Sequence, residues 1–157
     1  MPRVEVEIPI AAPPDRSWAA VVDVESYPAC MANVESLTIT GWTGPRERTT
    51  AWSVRLKGSV LEWTEAERLD EVARRFDFHQ VSGDLAHFVG HWAIRPGDDG
   101  GSLVSLHVEF DIGIPLLAEM LNPVAATALR ENAEQMLRAL ERRLTGGTAP
   151  LPRGDRA

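Results

Sequence analysis

The chain opens on a strict alternation. Val4, Val6, Ile8 and Ile10 are separated by Glu5, Glu7 and Pro9, with Arg3 ahead of them, a period of two that predicts a strand with one buried face. Ala12-Pro13-Pro14-Asp15 breaks the pattern. Asp15 reads as the N-cap of a short helix reaching about Val24, with Trp18, Val21 and Val22 as its apolar side. Glu25-Ser26-Tyr27-Pro28 begins a second short helix or turn that carries Met31. Six strand-like segments follow, at about 34–43, 48–57, 59–70, 74–82, 86–96 and 102–112. Their breaks are Gly44-Pro45, Lys57-Gly58, Glu71-Val72-Ala73, Ser82-Gly83-Asp84 and the run from Pro96 to Gly101. Ile114-Pro115 leads to a short helical piece, and Pro123 reads as the start of a long helix.

From Ala125 to about Thr145 the period changes from two to 3.6. Leu129, Met136 and Leu140 recur at helical spacing beside Ala133 and Leu137. Asn132 falls on the same stripe. A buried amide needs partners or water, so Asn132 is costly against a solid core and useful against a cavity.

One strand, two short helices, six strands in a meander and a long helix predict an α+β architecture. Consecutive antiparallel strands curl, the first strand pairs with the last, and only the final helix is long enough to fill the concave side. The expected domain covers residues 1–146, with a disordered tail at 147–157. Where sheet and helix splay, a cavity is expected.

Alternation also sorts the strand faces. Trp63 shares its face with Leu61, Glu65 and Glu67. Phe76 and Phe78 bring Gln80 inward, and Phe88 and Trp92 bring Gly90. Leu106, Val108 and Phe110 face in along the last strand. The expected lining is therefore Trp63, Phe76, Phe78, Phe88, Trp92, Leu106, Val108 and Phe110, with Met31 at the mouth. Its polar members are Glu65, Glu67, Gln80 and Asn132. An aromatic-rich cavity with few polar anchors suits a flat or extended apolar ligand.

Composition narrows the partners. Net charge is −7 with a pI near 5.1, which argues against nucleic acid and anionic membrane surfaces. No apolar run is long enough for a spanning helix, and the N-terminus enters a strand directly, without a signal region. Cys30, the one cysteine, has no partner for an internal disulfide and suits the cytoplasm. Of the four histidines, His79, His91 and His107 are expected outside, as is His87, and strand spacing does not favour a metal site.

Several segments carry a resemblance. They are Ile10 to Trp18, Val22-Asp23-Val24-Glu25-Ser26-Tyr27-Pro28, Leu61-Glu62-Trp63, Gly90-His91-Trp92 and Val108-Glu109-Phe110-Asp111. The chain resembles the helix-grip fold of START and Bet v 1-like (SRPBCC) proteins from Val4 to about Leu144, and within it the bacterial polyketide aromatase/cyclases, or cyclase/dehydrases. Ser82 to Trp92 is also similar to quinone- and lipid-binding members. The fold implied is a seven-stranded curled antiparallel sheet around a long C-terminal helix, with two short helices after the first strand.

The resemblance implies a hydrophobic, polyketide-like ligand and no cofactor. Where that ligand is carrier-bound, it implies an acyl carrier protein as partner. Carrier-bound or free substrate, and monomer or homodimer, stay open. It also places Glu67 where those cyclases commonly hold an inward arginine, with Arg68 next door on the outer face. A protonated glutamate donates a hydrogen bond, and an ionised one removes a proton alpha to a carbonyl. Glu65 and Glu67 are accordingly the acid/base candidates, with Gln80 and Asn132 holding oxygens. The rival functions are a lipid or quinone carrier and an interaction domain with a vestigial cavity.

Overall fold

The structure is a computed structural model describing residues 2–56, 58–113 and 118–146. The tail after Gly146 falls on residues outside these, as does the start of the helical piece expected after Pro115, which from Ala118 on is part of the long final helix. Strand β1 (Arg3–Ile10) buries Val4, Val6, Ile8 and Ile10 and exposes the four residues between and before them, so the period of two holds at every position.

Helix α1 (Pro14–Val22) follows directly. Pro14 is pre-set for a first helical turn. Asp15 is not the N-cap expected. It lies inside the first turn, where a carboxylate suits the helix dipole, and accepts from Arg74 Nη2 at 2.7 Å. A 3-10 turn at Val24–Ser26 leads into α2 (Tyr27–Cys30).

Then come β2 (Val34–Gly44), β3 (Glu47–Leu56), β4 (Ser59–Asp70), β5 (Arg75–Gly83), β6 (His87–Pro96), β7 (Ser102–Asp111) and α3 (Ala118–Thr145). The seven strands form one antiparallel sheet in the order β1-β7-β6-β5-β4-β3-β2. The chain thus has the α+β helix-grip fold.

Helix α3 lies on the concave face, where Leu129, Ala133, Met136, Leu137 and Leu140 are buried, and it packs chiefly on β1 and β7. Pro123 sits within this helix rather than opening it. Its ring removes one intrahelical bond near the helix N-terminus. Next to it, Asn122 ties that end to the sheet by accepting from the Ile112 N–H at 3.4 Å.

Two details shape the interior. Gly90 lies under the Phe78 ring, and an added Cβ would meet His107 O at 2.0 Å and Phe78 Cζ at 2.8 Å, so only glycine fits. The β5–β6 ladder runs only from Arg75↔Ala93 to His79↔Val89. Beyond it the hairpin tip leaves β6 and leans on β4, where Asp84 N–H donates to Glu62 O at 3.0 Å and Glu62 N–H to Asp84 Oδ2 at 2.7 Å. The sheet is therefore slit between β5 and β6 at one end.

Candidate functional site

Between α3 and strands β3–β7 lies a cavity of about 40 Å³. Its described walls are Trp52, Val54, Leu56, Leu61, Trp63, Phe78, Leu85, Phe88, Trp92, Leu106, Val108, Leu129, Ala133 and Met136. Glu65 and Asn132 are its polar members. This volume has room for a few water molecules at most. A drug-sized ligand needs about 300 Å³ or more, so occupation requires the walls to part.

Eight residues expected at the site meet on this wall: Trp63, Glu65, Phe78, Phe88, Trp92, Leu106, Val108 and Asn132. Five do not. Met31 is 1 % exposed and packs in the core at the end of α2 instead of standing at a mouth. Phe110 is fully buried, and Phe76 is fully buried beneath the Arg48 guanidinium, 5.3 Å from its ring centre. Gln80 is half-buried and braces the slit, its Nε2 donating to Leu85 O at 2.5 Å. Glu67 is inward as expected but is held by an arginine.

That arginine is Arg48, paired with Glu67 across β3 and β4. Its Nε donates to Glu67 Oε1 at 2.6 Å and its Nη2 to Val22 O at 3.0 Å, with the side chain only 3 % exposed. Thr50 Oγ1 donates to Glu67 Oε2 at 2.7 Å, and Trp52 Nε1 donates to Thr50 Oγ1 at 2.8 Å. Glu67 thus receives a guanidinium on one oxygen and a hydroxyl on the other, the pattern of a carboxylate.

Arg48, Thr50 and Trp52 were not anticipated from the sequence. The available signal was alternation in β3, where these three share a face with the buried Val54.

Glu65 is two residues along the same face and 2 % exposed. Its Oε1 accepts from Trp63 Nε1 at 2.7 Å. Burial drives its carboxyl well above the ordinary carboxylate range, and a hydrogen bond to Glu67 and the charge of Glu67 push it further. Glu65 is therefore the member of the pair whose protonated form is favoured, while both oxygens of Glu67 are taken by Arg48 and Thr50. Between them these residues put a carboxyl that resists ionisation into a largely apolar wall.

Aromatic packing holds this acid. Trp52 and Trp63 stack with centroids 5.5 Å apart and planes 11° from parallel. Trp63 meets Phe88 at 5.1 Å, and Tyr27 meets Trp52 and Trp92 at 5.8 and 6.1 Å. Each such pair contributes about 0.5–1.5 kcal/mol beyond area burial. The Tyr27 hydroxyl donates to Val21 O at 2.5 Å, and burial raises its pKa well above that of a free phenol.

The histidines stay on the convex face, where His91 and His107 stack at 5.2 Å. Among the described residues no cluster could hold a metal ion, and no helix is long and apolar enough to cross a membrane.

The chain is similar to several known proteins. The chain is 29 % identical over 112 residues to the granaticin polyketide synthase bifunctional cyclase/dehydratase of Streptomyces violaceoruber. That match takes in 70 % of this chain but only 34 % of the relative, so the chain spans about a third of that protein's length.

Among solved structures, TTHA0849 of Thermus thermophilus superposes with a TM-score of 0.86 at 28 % identity, covering 94 % of this chain and 100 % of that one. The Zhui aromatase/cyclase of a Streptomyces species shares the fold, with a TM-score of 0.77, 21 % identity, and 94 % and 98 % coverage. The family described as polyketide cyclase/dehydrase and lipid transport matches residues 10–137, from the end of β1 into α3, and to that family the chain belongs.

Proposed function

We propose that this protein binds a hydrophobic poly-keto or aromatic intermediate in its cavity and promotes cyclisation and dehydration of that ligand, with Glu65 as the proton-transferring group. The observation that carries this reading is the buried Glu65 carboxyl, its pKa raised by burial, in a wall whose only other polar member among the described residues is Asn132. The cyclase/dehydratase and aromatase/cyclase relatives support it.

A carboxylic acid serves both halves of an aldol closure. Its hydroxyl gives a proton to the carbonyl oxygen under attack while the enol carbon forms the new carbon–carbon bond. The carboxylate produced takes the proton released by the enol oxygen, so the acid is regenerated and the ring carries a hydroxyl. Dehydration then removes that hydroxyl with a proton from the adjacent carbon as water.

During the transfer the transient Glu65 carboxylate is held by Trp63 Nε1, and Arg48 limits repulsion from Glu67. The aromatic walls fold the chain so that the reacting carbons meet, which supplies much of the rate by orientation.

The test is turnover of a synthetic poly-β-keto thioester, with products separated by mass spectrometry. Glu65→Gln keeps the shape and removes the titrating proton, so cyclisation should slow about 10²–10⁴-fold, while quenching of tryptophan fluorescence still reports binding. Undiminished cyclisation by Glu65→Gln would sink the catalytic role.

A carrier reading is favoured by the completeness of the Arg48–Glu67 pair, which leaves no cation facing the cavity among the described lining residues. Native mass spectrometry of purified protein separates the two: a co-purifying lipid or quinone marks a carrier.

A further inference from the structure

A second, polar recess of about 130 Å³ adjoins the cavity and shares Leu56 and Asn132 with it. Asn33, Arg55, Ala128 and Gln135 are among its walls. Two buried atoms of those walls lack a hydrogen-bond partner: Asn33 Nδ2, a donor, and Asn132 Oδ1, an acceptor. The rest of the Asn132 amide does little better, since its Nδ2 meets only Met136 Sδ, at 3.5 Å. A buried amide atom left unpaired costs about 1–3 kcal/mol, so two at one recess are a debt that a suitable ligand cancels.

Both residues are held in place. The Arg55 N–H donates to Asn33 O at 2.7 Å, fixing Asn33 to β3. Asn132 stands on α3 between the buried Leu129 and Met136. The rim is tied by the ion pair between Arg55 and Glu35. Ligand chemistry follows from the pair of orphans, a donor on Asn33 and an acceptor on Asn132, which together suit a group that both accepts and donates. A hydroxyl does so with a single oxygen, whereas an ether or ester oxygen only accepts.

We infer that this recess is a polar subsite, read by Asn33 and Asn132, which selects cavity ligands carrying a hydroxyl at the end remote from Glu65. This rests on the ligand-binding reading of the cavity. The subsite sets orientation: the apolar body lies among Trp52, Trp63 and Trp92 while the hydroxyl anchors between α3 and β3.

The probes are 2-naphthol and 2-methoxynaphthalene, titrated against tryptophan fluorescence. Wild type should bind the naphthol about tenfold more tightly, the effect of one well-made buried hydrogen bond. Asn33→Leu and Asn132→Leu should each lower that ratio to about threefold or less, and Glu65→Gln should leave it intact.

If the ether binds but no preference exists, or the preference survives both leucine variants, the subsite is overturned while the cavity reading stands. If Glu65→Gln alone erases the preference, the hydroxyl is read at the other end and the subsite is again overturned. If neither probe binds, cavity reading and subsite fall together.

Discussion

Replacing Glu65 by glutamine should make the protein more stable, and increasingly so as pH rises. Glu65 is 2 % exposed and its folded pKa is raised, first by burial and then by its hydrogen bond to Glu67 and by the charge of Glu67. The sign follows from linkage. Below the unfolded carboxylate range, about pH 4.3, both folded and unfolded states hold the proton and Glu65 is neutral in its effect. Above it the unfolded chain releases the proton and the folded chain does not, so stability attributable to this group is lost as pH climbs towards the folded pKa.

The slope is one proton, or about 1.4 kcal/mol per pH unit, and no discount for solvent screening applies to a side chain this buried. Glutamine should preserve the site: its Oε1 accepts from Trp63 Nε1 and its amide donates to Glu67 in place of the proton. Denaturant melts of wild type and Glu65→Gln between pH 4 and pH 8 isolate the Glu65–Glu67 pair, because titrating groups that do not interact with Glu65 cancel in the difference. The variant should match wild type near pH 4 and gain about 1 kcal/mol or more by pH 6. A difference that stays flat across this window would refute a protonated Glu65.

Two other substitutions test the same architecture. Trp63→Ala should cost less than the roughly 3–5 kcal/mol of a fully packed core tryptophan, because one side of the ring faces the cavity, yet should weaken naphthol binding at least tenfold; equilibrium melts beside fluorescence titrations compare the two losses. Arg48→Met strands the Glu67 charge and should destabilise by about 3–5 kcal/mol, while adding Glu67→Gln should recover most of it, as chemical denaturation of single and double variants would reveal.

Much of the interior was legible because strands impose a rule. Once Trp63 faced inward, Glu65 and Glu67 had to follow, and Phe78, Phe88, Trp92, Leu106 and Val108 obeyed the same parity. What escaped depends on relations between strands. Arg48 meets Glu67 through the β3–β4 register, and a pattern along one strand carries no register. Met31 follows a short helix, where alternation says nothing about depth. Asp15 has the chemistry of a cap, but Pro13 and Pro14 start the helix before it. Pro123 is a start signal in general, and here α3 has begun at Ala118 and continues through it.

The two lateral margins of the sheet bear on assembly. Strand β1 borders only β7, and β2 borders only β3, so each leaves one row of peptide groups unmatched in the sheet. Such rows recruit other chains into endless sheets. On β1 the outward series of Arg3, Glu5 and Glu7 ends in Pro9, which has no N–H to offer. On β2 the register slips at three places, between Val34 and Ser36, Ile39 and Gly41, and Trp42 and Gly44, so its spacing does not match that of a straight strand. A second copy thus meets a margin interrupted by proline on one side and one broken in register on the other, neither of them a regular template for backbone pairing.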